Sequence, residues 1–350
     1  MSLYDRVRDL PLAIDGSRLE RLELAVSPEF TRVTTVVNLD GGGHTGVGED
    51  VTYEADEATA FQQAGLPDLS GEWTIDSLSG ALGDMDLFPV APVWAPSRAY
   101  RRWAVESAAL DLALRQAGEP LWRVLGIDPQ PVDFVISTGL GDPPDAARVL
   151  DWVAAAPDIG FKVDATPSWD RDLARALAGN SSIEVVDLKG HYAGTIVDSG
   201  ADPALYAMIA EEFPDAWLED PRVDPRTQIA LAGAEDRITW DAPIHEAADI
   251  DAMPIHPRTV NVKPSRSGSI ADLMGIYDRI REEGLGAYGG GQYELGPGRG
   301  QIQYLASLFH PDAPNDTSPV EYHQPPREGM PTSPIAPTPS ATGFRWGEPG

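Results

Sequence analysis

The chain has no cysteine among its 350 residues. That excludes a disulfide framework, a thiolate metal site and a cysteine nucleophile. No apolar run approaches the length of a membrane span. The opening stretch "MSLYDRVRDLPLAIDG" is charged within six residues and lacks an apolar core, so it does not read as a signal peptide. Basic residues are scarce, 26 against 55 acidic, for a net charge of −29 and a pI near 4.4. Nucleic acid and anionic membrane surfaces both need basic patches, so neither is an expected partner. The expectation is a soluble cytoplasmic protein. Lysine is the scarcest charge: Lys162, Lys189 and Lys263 are the only ones. Arginine carries surface charge elsewhere but stays protonated, whereas lysine can be tuned to give up its proton.

Residues 1–125 read as an α+β domain. "LERLELAV" and "RVTTVVNL" alternate as strands do, and the turn-rich "DGGGHTGVGED" follows them, which predicts a hairpin or meander. The glycines lack the strand–loop–helix setting of a phosphate loop and read as a turn. From Ser97 to Gly126 apolar residues recur at three and four, punctuated by Gly118, the pattern of helix. From Val132 the rhythm changes to short apolar runs alternating with amphipathic helices: "DFVIST", "GFKVDA", "IEVVDL", "AWLEDP", "RITWDAP", "TVNVKPS" and "LGAYGGGQY" are the seven runs. Such a series predicts an α/β fold with a parallel sheet. No glycine fingerprint follows the first strand, so a closed (β/α)8 barrel over 126–310 is favoured over a doubly wound sheet. Residues 311–350 are rich in Pro, Ser and Thr, with "GFRW" as an anchor that packs back on the first domain.

Active sites of such barrels form at the C-terminal ends of the strands. The ionisable residues there are Lys162 and Asp164, Asp187 and Lys189, Glu219 and Asp220, Asp241, Lys263 and Glu294, a set that includes every lysine. Asp187, Glu219 and Asp241 come from consecutive strands. Strands lie about 4.8 Å apart, so carboxylates at one level can converge on one cation. Hard oxygen donors without Cys or His suit Mg²⁺, or Mn²⁺ in its place. Taken singly, each carboxylate could equally pair with an arginine or cap the next helix. The six histidines show no metal-binding spacing.

Taken in order, "RRWAVESAALDLALRQAGEPLWRVLG", "FKVDATPSWD", "VVDLKGHYAG", "WLEDP", "ITWDAP", "VNVKPSRSGS" and "YGGGQYELGPGRGQ" resemble the enolase superfamily. The likeness is to its muconate-lactonising branch of o-succinylbenzoate synthases, N-acylamino-acid racemases and dipeptide epimerases. It implies a capping domain on a modified (β/α)8 barrel, a homo-oligomer, and a small carboxylate substrate. It implies Asp187, Glu219 and Asp241 as metal ligands, and Lys263 as the base that removes the proton beside the substrate carboxylate. Lys162, Glu294 and Arg266 are implied as further site residues, the last two binding substrate. Cap loops around "SPEFTR" and "GGGHTG" are expected to close over the mouth. Strand two of that branch carries Lys-x-Lys, but here Asp164 stands at the second lysine's position. Lys189 stands where the family usually has asparagine, two residues after Asp187 and so on the same side of the strand. Either Lys189 serves as second base, or it pairs with Asp164 and leaves Lys263 alone. An Asp164 base, a catalytically inactive relative and an acid-sugar dehydratase are the remaining readings. The mandelate racemase branch uses a histidine on strand seven, where this chain has Glu294.

Overall fold

The computed structural model describes residues 1–27, 30–192, 199–327 and 329–347. The N-terminal part opens with β1 (Pro11–Ile14), β2 (Gly16–Ser27), β3 (Phe30–Gly41) and β4 (His44–Asp50). The helix α1 (Ala55–Ala64), β5 (Gly71–Thr74), α2 (Ile75–Gly83), α3 (Ser97–Ala117) and α4 (Leu121–Leu125) follow. β2, β3 and β4 form an antiparallel meander, and β1 pairs with β5. The glycine-rich run is more than a turn. Only Gly42 and Gly43 turn, with positive φ, and the residues after them form β4. Gly46 and Gly48 have a packing role instead: a Cβ at either would run into the backbone of α3 at Ala108 or Ala104. Glycine lets this strand lie directly on the alanine-rich face of the helix.

The second part alternates β6 (Val135–Gly139), α5 (Ala147–Ala155), β7 (Gly160–Asp164), α6 (Arg171–Asn180), β8 (Ser182–Asp187), α7 (Pro203–Glu212), β9 (Trp217–Glu219) and α8 (Pro225–Ala230). It continues with β10 (Ile238–Trp240), α9 (Ala247–Ala252), β11 (Thr259–Val262), α10 (Pro264–Ser267), α11 (Ile270–Glu283), β12 (Gly286–Gly289) and α12 (Pro297–Phe309). The strands pair in parallel and in sequence, β6 to β12, in one curled sheet of seven. Asp170, Asp202 and Asp224 accept backbone N–H groups at the starts of α6, α7 and α8, so part of the acidic excess is helix capping.

Between β12 and β6 the wall is completed by residues 313–317. Val135 N–H donates to the Asn315 carbonyl at 3.0 Å, and Asp316 N–H donates to the Gly289 carbonyl at 2.9 Å. The Asn315 side chain accepts from Gly289 N–H at 2.7 Å. This stretch acts as an eighth stave although its sequence, "APNDT", has no strand periodicity. Further on, Phe344 is fully buried and its N–H donates to Asp111 of α3 at 2.8 Å. Arg345 pairs with the same carboxylate at 2.7 Å.

Candidate active site

β7, β8 and β9 end in register, with Asp164 opposite Asp187 and Asp187 opposite Glu219. Glu219 is in turn opposite Thr239, so Asp241 stands two residues beyond that level. Alternation along each strand turns Lys162, Asp187 and Glu219 inward, where the apolar interior of the barrel leaves them buried.

Asp164, Asp187, Glu219 and Asp241 are each held by a lysine or arginine of the same site. Lys162 Nζ lies 2.5 Å from Glu219 Oε1 and 2.9 Å from Asp316. Lys189 Nζ lies 2.5 Å from Asp187 Oδ2 and 3.1 Å from Asp164. Lys263 Nζ and the Arg266 guanidinium take the two oxygens of Asp241, at 2.9 and 2.5 Å. Glu219 Oε2 also accepts from Asn261 Nδ2 at 2.9 Å and from the Tyr288 hydroxyl. Among the described residues no three acid or histidine side chains form a ready metal cage. The sequence suggested three carboxylates gathered at one level. They lie on neighbouring strands, and each is paired with one or more of the protein's own cations.

These pairings set the protonation states. Burial pushes Glu219 upward, against the pull of Lys162. Burial would raise Asp241 too, but Arg266 and Lys263 outweigh it and hold the carboxylate well below its usual range. For Lys263 burial favours the neutral amine, yet Asp241 prevails and the ammonium is held above its ordinary value. In this arrangement Asp241 thus opposes the shift towards neutrality that burial alone would bring. Lys162 is likewise pushed down by burial and raised overall by Asp316 and Glu219.

The donors suit a hard divalent cation in kind. All are carboxylate oxygens from consecutive strands, and buried Glu219 Oε1 faces the Lys162 ammonium at 2.5 Å. Asp220 supports the set. It has a left-handed backbone (φ 52°), and its carboxylate accepts the Asp241 and Ala242 N–H groups at 2.8 Å each, fixing the turn that carries Asp241. Burial raises its pKa.

Glu294 is buried in a tight loop, where its carboxylate accepts Gln292 N–H at 2.9 and 3.0 Å. The cap reaches the mouth through Arg32, which donates to the Gln292 carbonyl at 2.8 Å, and through Tyr53, whose hydroxyl donates to the Gln292 side chain at 3.1 Å. The "GGGHTG" turn does not close the mouth, since it sits at the other end of β3 beside Gln116. In "SPEFTR", Pro28 and Glu29 lie outside the described residues, as do Ala193 and Gly194 of "VVDLKGHYAG". Asp316, Tyr288, Asn261 and Tyr192 were not singled out from the sequence. Asn261, two residues before Lys263, could have been found by strand alternation. Asp316 had no such signal, being 154 residues from Lys162.

Comparison with known proteins agrees with this fold. An N-succinylamino acid racemase from Amycolatopsis sp is 28% identical over 288 residues, 78% of this chain and 75% of that protein. An o-succinylbenzoate synthase from Geobacillus stearothermophilus is 26% identical over 221 residues, 61% of this chain. That match spans only 58% of the synthase. A mandelate racemase/muconate lactonizing protein from Herpetosiphon aurantiacus superposes with a TM-score of 0.69 at 17% identity, over 97% of this chain and 99% of the other. A dipeptide epimerase from Enterococcus faecalis V583 gives 0.64 at 17% identity, over 87% and 90%. At such identities the superpositions speak for the fold. Fold and relatives together define an enolase-superfamily protein of the muconate-lactonising, mandelate-racemase-like branch. Models of the two halves of a domain of unknown function, DUF8230, match residues 5–124 and 128–324, and the chain belongs to that family.

Proposed function

We propose that this protein removes the proton adjacent to the carboxylate of a small organic acid, with Lys263 as the base. Asp187, Glu219 and Asp241 would hold a divalent cation, Mg²⁺ or Mn²⁺. The observation that carries this reading is the placement of every lysine in the chain on carboxylates at the strand ends of one barrel. The superfamily relationship supports acid–base chemistry on a carboxylate. When bound, the cation supplies positive charge against which an enediolate oxygen is stabilised.

Lys263 must be neutral to accept the proton, and its contact with Asp241 works against that. Engagement of Asp241 elsewhere would leave burial and Arg266 to favour the amine. The C–H bonding pair then stays on the substrate as the enediolate, while the proton moves to Lys263 Nζ. Lys162 contributes fixed positive charge beneath the site, anchored by Glu219 and Asp316. Racemisation by two opposed bases fits poorly, because Lys189 is engaged by Asp187 and Asp164. A one-base elimination or cycloisomerisation fits better.

The test is loss of the α-proton signal of N-succinylamino acids, whose names the relatives supply, in ²H₂O with Mg²⁺. Lys263→Ala should slow exchange about a thousandfold. Unchanged exchange in that variant would assign the base elsewhere. A second reading, a relative that binds a carboxylate ligand without turning it over, is favoured by Asp164 standing in place of a lysine. It predicts no exchange in the wild type.

A further inference from the structure

We propose that Lys189 is a built-in counter-cation with two seats, Asp187 and Asp164, and that it controls entry of a divalent cation onto Asp187. This rests on the reading of Asp187 as a metal ligand. The backbone of Lys189 is left-handed, with φ 48°, a conformation unusual for a residue with a side chain. That turn folds the residue back over the strand end. Its N–H donates to Asp187 Oδ1 at 2.9 Å and its ammonium reaches Oδ2 at 2.5 Å, so one residue engages both oxygens.

The second seat differs from the first. The Asp187 side chain has no exposure, whereas that of Asp164, its register neighbour on β7, is 36% exposed. The ammonium lies 3.1 Å from Asp164 and 5.4 Å from the centre of the Tyr192 ring, whose face attracts a cation. A divalent ion on Asp187 and an ammonium on the same carboxylate repel each other strongly in a buried site. Metal can therefore enter only as Lys189 leaves. Asp164 keeps the departing ammonium paired at the solvent side, so the exchange leaves no buried charge alone. The acid at position 164 and the lysine at position 189 thus form one device: the acid exists to receive the lysine.

The experiment is a Mn²⁺ titration of the full chain, reading free Mn²⁺ by electron paramagnetic resonance. Lys189→Met should bind Mn²⁺ at least about tenfold more tightly than wild type, and Lys189→Arg should stay as weak as wild type. Asp164→Asn, which removes the outer seat, should weaken binding roughly threefold or more, and this effect should vanish in the Lys189→Met background. Circular dichroism checks the fold of each variant, with Lys189→Gln as the neutral replacement if the methionine variant unfolds. Binding by Lys189→Met no tighter than by wild type overturns the proposal and leaves the metal site standing. An Asp164→Asn effect that persists without Lys189 also overturns it, by making Asp164 a ligand. Binding by neither protein overturns both this proposal and the metal reading.

Discussion

Lysine placement is the feature that composition made visible. In a chain that otherwise uses arginine, three ammonium groups stand out, and each has a carboxylate within 2.5–2.9 Å. What composition could not give is which acid each lysine meets. Lys162 bonds to Asp316, 154 residues further along the chain, in the stretch that itself closes the barrel wall. Each lysine is an ion-pair partner of a buried acid, so its loss is a structural event as well as a chemical one. Lys162→Met would leave Glu219 and Asp316 without their shared cation. Breaking such a buried pair costs about 3–5 kcal/mol. Urea denaturation of that variant should show a loss of this size, whereas Arg226→Gln, which removes only the exposed partner of Asp224, should change stability by less than about 1 kcal/mol.

At the scale of elements, alternation of apolar runs with helices made seven strands legible, because each buries its side chains on both faces of a parallel sheet. Several elements escaped, β1, α1, β5 and α2 among them, and two more escaped for a definite physical reason. The strand His44–Asp50 was hidden by glycines that serve its contact with α3, and Gly48→Ala, driving a methyl group into Ala104, should lower the thermal midpoint sharply. The closing stave at 313–317 was hidden because side-chain bonds, more than a ladder, hold it. Asn315 donates to the carbonyls of Asp133, His310 and Ala313 at 2.9–3.0 Å. It also accepts from His310 Nδ1 at 2.7 Å, while His310 Nε2 accepts from the Tyr277 hydroxyl at 3.1 Å. His310 must be neutral to serve both, and burial lowers its pKa from 6.5 to about 4. A depressed folded-state value means that the unfolded chain takes up the proton first. The stability is complete above pH 6.5 and is lost as pH falls from there towards 4, by about 3 kcal/mol for this group. Urea unfolding at pH 7 and pH 4.5 should show that His310→Gln removes this part of the acid sensitivity.

For the whole molecule, the two-part plan was readable from the change of rhythm at Val132, but the ties between the parts were not. They are single residues with no periodic signature. Glu49, at the end of the cap meander, accepts N–H groups from Leu295, Gly296 and Gly298 at 2.7–3.1 Å, where the barrel enters α12. Arg32 binds the carbonyls of Gln292 and Tyr293 in the same loop. From the far end Phe344 packs edge-on against Tyr304 of α12 while its backbone holds Asp111 of α3. Phe344→Ala should therefore destabilise the protein by about 3–5 kcal/mol in chemical denaturation. Arg32 and Tyr53 are thereby held against the loop that follows β12, so specificity should follow the residues around them more than the glycine turn.

The proposed function requires one base acting beside a cation-bound carboxylate. The direct measurement follows the α-proton of each enantiomer of an N-succinylamino acid separately by ¹H NMR in ²H₂O, with Mg²⁺ present. One enantiomer should lose its α-proton signal while its handedness is retained. Exchange of both enantiomers with rapid interconversion would require a second base and would contradict the account.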